Sequence, residues 1–321
     1  MNTTLMGNLN DLYNLDTSKK LLAKLLNTSV PLKFGEGKVA TVAEKEIVSK
    51  KIALLINDEQ CNLLLRGLRK STVKKTLISK LNSNDSLYDG LFLVGDKAKN
   101  FLRESESIPH PMKLIGSLGV ETAQWIFDCY GKLTNGPIDL AFFRNDKNKK
   151  AFADNVKNDE ELTDYYLFGL HTHNSDSLVN FVSTTSSPRV ARNNEVSDKL
   201  VLFLWIPTNF MLFISLDKLR KLKSKVEGKS LPVLADSFYP EEKEFAFKGF
   251  ILPHMIIGVH DLQENELILN PALLKDKVDW REEGFEIDQS NFRTFIRQTK
   301  YKRFLTLTDK LEEETVESGS Q

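Results

Sequence analysis

Cysteine is scarce, with two in 321 residues, Cys61 and Cys129. So few cannot build a disulfide framework. Both sit among apolar residues at positions that read as helical, so buried small hydrophobes are expected rather than a redox pair. Glycine and proline, at 16 and 10 residues, are not enriched, which excludes a collagen-like or low-complexity chain. The longest apolar run, Leu200–Pro207, is far too short to span a bilayer. The first residues, Met1–Asn14, are polar with scattered Leu and Met, and lack the basic start and apolar run of a secretory signal. A cytoplasmic protein without membrane contact is therefore the expectation, and a toxin delivered by a specialised machine would share this signature. No charge sign dominates, since Lys+Arg and Asp+Glu both number 44. Global attraction to nucleic acid is excluded, while a local basic face is not.

What is present is the composition of a folded domain, 41% hydrophobic and 27% charged. The first hundred residues read mostly as helix. Ser18–Leu26, Val42–Leu55, Glu59–Leu68 and Val73–Leu81 carry apolar residues at three- and four-residue spacing. Leu91–Val94 reads as a short strand. Ser105–Pro111, with its prolines, serines and charge, is the best linker. Leu114–Leu133 follows as an amphipathic helix. From Ile138 the texture changes to short strands: Ile138–Phe143, Asn180–Thr185, Lys199–Ile206, Met211–Leu216, Glu244–Phe247, and a closing pair, Met255–His260 and Glu266–Leu269. Lys199–Ile206 is almost continuously apolar, as in a central strand covered on both faces. The pattern predicts an α+β domain on antiparallel sheets. At the end, Phe292–Phe304 is basic with interleaved aromatics, a pattern open to phosphate contact and stacking but more often a solvated basic face.

Several motifs carry little. Phe34-Gly-Glu-Gly-Lys38 lacks the upstream glycine of a phosphate loop, and Val39 replaces the magnesium-binding hydroxyl, so it reads as a turn. His171-Thr-His173 places both imidazoles on one side if the segment is extended. No partner ligand stands at metal spacing, so no metal is expected, and a lining role in a nucleotide pocket is favoured for His171 or His173. Three other segments gain weight from their order. Leu140-Ala-Phe-Phe143-Arg144 is an apolar run ending in arginine. Phe181-Val-Ser183-Thr184-Thr185 is followed by Ser-Ser-Pro-Arg-Val-Ala191. Tyr239-Pro-Glu-Glu242-Lys-Glu244-Phe-Ala-Phe is followed by Gly249 and Pro253. Each alone has an ordinary reading: a surface arginine, a β-prone hydroxyl-rich strand, and a solvated acidic face.

Together the three segments resemble the arginine–serine–glutamate class of mono-ADP-ribosyltransferases, which includes the cholera and heat-labile enterotoxin catalytic subunits. In that family a strand ends in aromatic-Arg, a middle strand carries aromatic-x-Ser-Thr-Ser/Thr, and a later strand opens with Glu/Gln-x-Glu. The resemblance covers about Gly136–Leu269. It implies an ADP-ribosyltransferase-like antiparallel β-sandwich with peripheral helices at 109–308. A mainly helical docking or regulatory region at 1–108 would precede it, and an acidic tail at 309–321 would follow.

The resemblance also implies NAD as substrate, with no metal. Arg144 would hold the pyrophosphate through its guanidinium fork, beside Phe143. Glu244 would stabilise positive charge on the ribose as the nicotinamide leaves. Ser183 would orient Glu244, with Thr184 and Thr185 adding hydroxyls on the same strand. Glu242, two residues earlier on one strand face, would polarise the acceptor. Glu241 leaves a second register open for that carboxylate. Phe238 and Tyr239, in the preceding loop, would contact the target. A Glu in the first position favours protein arginine as the acceptor. An enzyme of a toxin–antitoxin or anti-phage system modifying RNA or DNA is the alternative, with an antitoxin or regulatory protein as a further partner. A non-enzymatic binding module is the second alternative.

Overall fold

The structure is a computed structural model. It describes residues 9–35, 38–57, 61–78, 91–92, 118–135, 138–173, 181–193, 198–207, 211–212, 216–234, 243–248, 251 and 255–274. The protein is α+β, with helices and a mixed sheet. The chain divides into two compact units: Met1–Glu104 with Thr184–Asn209 and Ile251–Gln321, and Ser105–Ser183 with Phe210–Phe250. This replaces the expected linear division at residue 108. The early residues share a core with the closing strands and are not a separate helical region.

In the first unit, helix α1 (Ser18–Leu26) starts where Thr17 accepts a bond from the Lys20 amide at 3.3 Å. Its Leu21, Leu22 and Leu25 are at most 1% exposed, each contributing about 2 kcal/mol of burial. Strand β1 (Leu32–Phe34) pairs antiparallel with β2 (Lys38–Val39). Helix α2 (Val42–Asn57) follows as expected. The next segment does not. Glu59–Leu68 reads as helix, but Cys61–Arg69 is strand β3. A short apolar run such as Leu63-Leu64-Leu65 fits either a buried helix or a covered strand. Pairing decides it: β3 aligns with β5 (Lys199–Pro207) from Cys61↔Pro207 to Arg69↔Lys199. Gly67 lies where β3 touches the short helix α4 (Pro188–Arg192), and a methyl there would sit 2.1 Å from the Ala191 carbonyl oxygen. Helix α3 (Lys70–Ile78) continues from β3, and Leu91–Phe92 form a helical turn, not the expected strand.

Strand β5 is central, as its apolar run requires, between β3 and β8 (Ile256–Asp261). Strands β8 and β9 (Glu266–Leu269) form the closing hairpin, and β1 joins β9 in parallel, so the sheet is mixed where an antiparallel one was expected. Leu65, Phe203, Trp205 and Ile257 pack in the core of this unit with α1.

The second unit is mainly helical. Helix α5 (Val120–Gly131), the turn-length α6 (Leu140–Phe143), α7 (Lys147–Val156), α8 (Glu160–His173) and α9 (Leu216–Gly228) enclose an aromatic core. Phe127, Tyr130, Phe143, Phe152 and Tyr166 meet at centroid distances of 4.6–6.2 Å, mostly tilted or edge-on, the geometry ring quadrupoles favour. The expected strand Ile138–Phe143 is corrected here. Asp139 caps a helical turn by accepting from the Ala141 amide at 2.9 Å, and the turn drives Phe143 into the aromatic core. In the same unit β7 (Glu244–Lys248) pairs with β6 (Met211–Leu212). Strand β4 (Phe181–Thr185) neighbours β7 in the order β4-β7-β6. The division between the units falls within β4, after Ser183. Among the described residues no helix is long and apolar enough to cross a membrane.

Candidate active site

The second unit gathers three polar side chains at one point. Strand β4 presents Ser183, which is exposed. Strand β7 opens with Glu244, directly after Lys243, whose φ of 45° turns the chain at the strand entrance. The last turn of α8 supplies His171. Its Nε2 lies 3.0 Å from Ser183 Oγ and 3.0 Å from Glu244 Oε1. The side chains of His171 and Glu244 are 12% and 22% exposed, so the pair is sheltered but within reach of solvent. Ser183 and Glu244 are thus both in contact with His171 Nε2.

The protonation chemistry is constrained. Both contacts fall on one ring nitrogen. An ionised Glu244 can only accept, so Nε2 must carry the proton and donate it. Such a bond to a carboxylate is charge-assisted and stronger than a neutral one. A Ser–His–acid relay of the acyl-transfer kind needs the acid on one ring nitrogen and the serine on the other. That arrangement is not what stands here.

His171 and His173 belong to helix α8, so the alternation expected of an extended segment does not apply. Among the described residues no cluster of His, Cys, Asp or Glu could hold a metal ion.

Arg144 stands elsewhere in this unit. It follows the helical turn α6 rather than a strand, is exposed, and donates from Nη2 to the Leu133 carbonyl at 2.8 Å. It lines an open hollow of about 340 Å³ with Asp128, Lys132, Phe143 and Asp146. Among the described residues that lining contains none of His171, Ser183 and Glu244. Phe143 is 2% exposed and stacked on Tyr130, so its faces are taken by the core and not offered to a cofactor. Thr184 and Thr185, in the first unit, are 4% and 6% exposed. Thr185 Oγ1 accepts from the Ser187 amide at 3.0 Å, and Ser187 in turn caps α4 at Pro188. Phe238, Tyr239, Glu241 and Glu242 lie outside the described residues, as do Ser105–Pro111 and Phe292–Gln321.

The sequence reading also missed strand β3. Arg66, in β3 of the first unit, is half-buried and precedes Gly67. Strand β3 pairs with β4 through Leu65↔Thr185. Reading Glu59–Leu68 as helix hid this strand. The signal that could have found it is the Leu63–Leu65 run ending in Arg-Gly, read as a covered strand. No family model matches this chain, and no curated protein or solved structure matches it.

Proposed function

We propose that this chain is an NAD-dependent mono-ADP-ribosyltransferase, toxin- or effector-like, that transfers ADP-ribose from NAD to a macromolecular acceptor. The observation that supports it is the meeting of Glu244 and Ser183 at His171 Nε2, with both contacts at 3.0 Å. These residues come from strands whose flanking motifs already pointed to this chemistry. An ionised carboxylate held at a strand entrance is the group that stabilises a ribosyl cation as nicotinamide departs. An ADP-ribosyltransferase-like fold belongs to the same proposal. Arg144, to which the resemblance gives the phosphate-holding role, follows a helical turn and is bonded to the Leu133 carbonyl. Protein arginine is the favoured acceptor, by the Glu242–Glu244 spacing.

The decisive measurement is nicotinamide release from NAD, alone and with cell lysate, by wild type and Glu244→Gln. Loss of one preorganised charge-stabilising group should lower the rate about a hundred- to thousandfold. Wild type without release above background, or a variant equal to wild type, sinks the proposal. Arg144→Lys tests the phosphate-holding role: a raised KM for NAD supports it, and an unchanged KM overturns it. With labelled NAD, label lost to protease identifies a protein acceptor. Label lost to nuclease identifies RNA or DNA and overturns the arginine assignment.

A further inference from the structure

We infer that His171 is a positioning residue for Glu244: it orients the carboxylate through an Nε2–H donor, without itself touching the substrate. The inference rests on the reading of Glu244 as the charge-stabilising carboxylate.

The first argument is stoichiometric. Nε2 carries either a proton or a lone pair. With a lone pair it would need a proton from both Ser183 and Glu244, and one lone pair cannot serve two donors at full strength. With a proton it donates to Oε1 of an ionised Glu244 and lies in three-centre reach of Ser183 Oγ, which satisfies both 3.0 Å contacts. The geometry therefore selects the Nε2-protonated ring.

The second argument is mechanical. A positioning residue must itself be fixed, and α8 is strapped on two sides. Tyr130 donates to the Tyr166 carbonyl at 2.6 Å. Tyr166 donates to the Pro232 carbonyl at 2.9 Å, and Tyr165 accepts from the Leu234 amide at 2.8 Å. Between these ties Gly169 lets the helix approach closely: a methyl there would lie 2.4 Å from Leu234 Cδ2 and 2.4 Å from Tyr130 Oη. His171 is two residues further along this clamped helix. The carboxylate opposite it begins a strand behind Lys243, a non-glycine residue at positive φ. The rigid helix end therefore locates the strand entrance.

The test compares His171→Leu and His171→Gln in nicotinamide release, with thermal unfolding as a control. Leu removes the donor and should lower kcat about a hundredfold, the scale of an ångström-level misplacement, with the KM for NAD nearly unchanged. Gln keeps an N–H donor and should recover most of that loss. Leu equal to wild type overturns the inference. So do Leu and Gln equally impaired while folded, because the ring would then act in the chemistry itself. A measurement independent of turnover is the long-range ¹H–¹⁵N spectrum of the wild-type imidazoles. It should show His171 protonated at Nε2, and an Nδ1-protonated neutral ring overturns the inference. If wild type releases no nicotinamide, the functional proposal fails while the spectrum still decides the His171–Glu244 contact.

Discussion

Acid should weaken the first unit through one buried histidine. His260, on β8, is fully buried. Its Nδ1 lies 2.9 Å from the Tyr13 hydroxyl and its Nε2 3.2 Å from Asn265 Oδ1. Asn265 Oδ1 can only accept, so Nε2 bears the proton, and Tyr13 donates to Nδ1. The ring is thus satisfied as a neutral group, and a second proton at Nδ1 would face the Tyr13 donor. Burial, the leading cause, pushes its pKa down from 6.5 to about 4, opposed by the bond to Asn265 and by the Asp261 charge. Above pH 6.5 the ring is neutral in both folded and unfolded chains, and pH has no effect through it. Below 6.5 the unfolded chain takes up the proton first, so stability falls as pH drops, until the folded ring also protonates near 4. The interval of two to three pH units corresponds to about 3 kcal/mol. That is a large share of a typical stability of about 5–15 kcal/mol. Urea unfolding followed by the fluorescence of Trp205, which is buried in the same core, would be measured from pH 7.5 to 4 for wild type and His260→Gln. Wild type should lose about 3 kcal/mol more than the variant over that range. Parallel curves would refute the reasoning. Should the variant not fold, a wild-type ring titrating near 6.5 in the folded protein would refute it equally.

Other expectations follow from close packing. Gly67→Ala would push a methyl against the Ala191 backbone oxygen at 2.1 Å, and backbone cannot swing aside. About 1–3 kcal/mol of destabilisation is expected, read as a lower unfolding midpoint, whereas an unchanged midpoint would mean that β3 and α4 are not packed as described. Cys129 is 2% exposed, and burial raises its thiol pKa to about 12. It should resist alkylation at pH 8 in the native protein and react on denaturation, as peptide mapping would report. Rapid native labelling of Cys129 would contradict its placement in the aromatic core.

The strong periodic signals survive into three dimensions. Ser18–Leu26 matches its predicted helix end to end because three leucines and a threonine cap all argue for the same state. Glu266–Leu269 and the central Lys199–Pro207 were equally legible. The misreadings fall on short apolar runs, where periodicity carries least information. Cys61–Arg69 became a strand because β5 supplied nine consecutive partners. Leu140–Phe143 became a helical turn because Asp139 capped it and an aromatic core stood ready for Phe143. Ser183 and Glu244 stand on strands as their local motifs predicted, while Arg144 follows a helical turn where a strand was expected.

By itself the sequence determined the α+β composition, the helices Ser18–Leu26 and Val42–Asn57, and the closing hairpin. These depend on residue type and local spacing, which a linear chain carries in full. Only the tertiary structure decided that the early residues contribute β3 to the first unit. It alone placed His171 against both Ser183 and Glu244. Strand partnership and the meeting of side chains at sequence separations of 12 and 73 residues are set by which surfaces bury each other, and no local pattern encodes that.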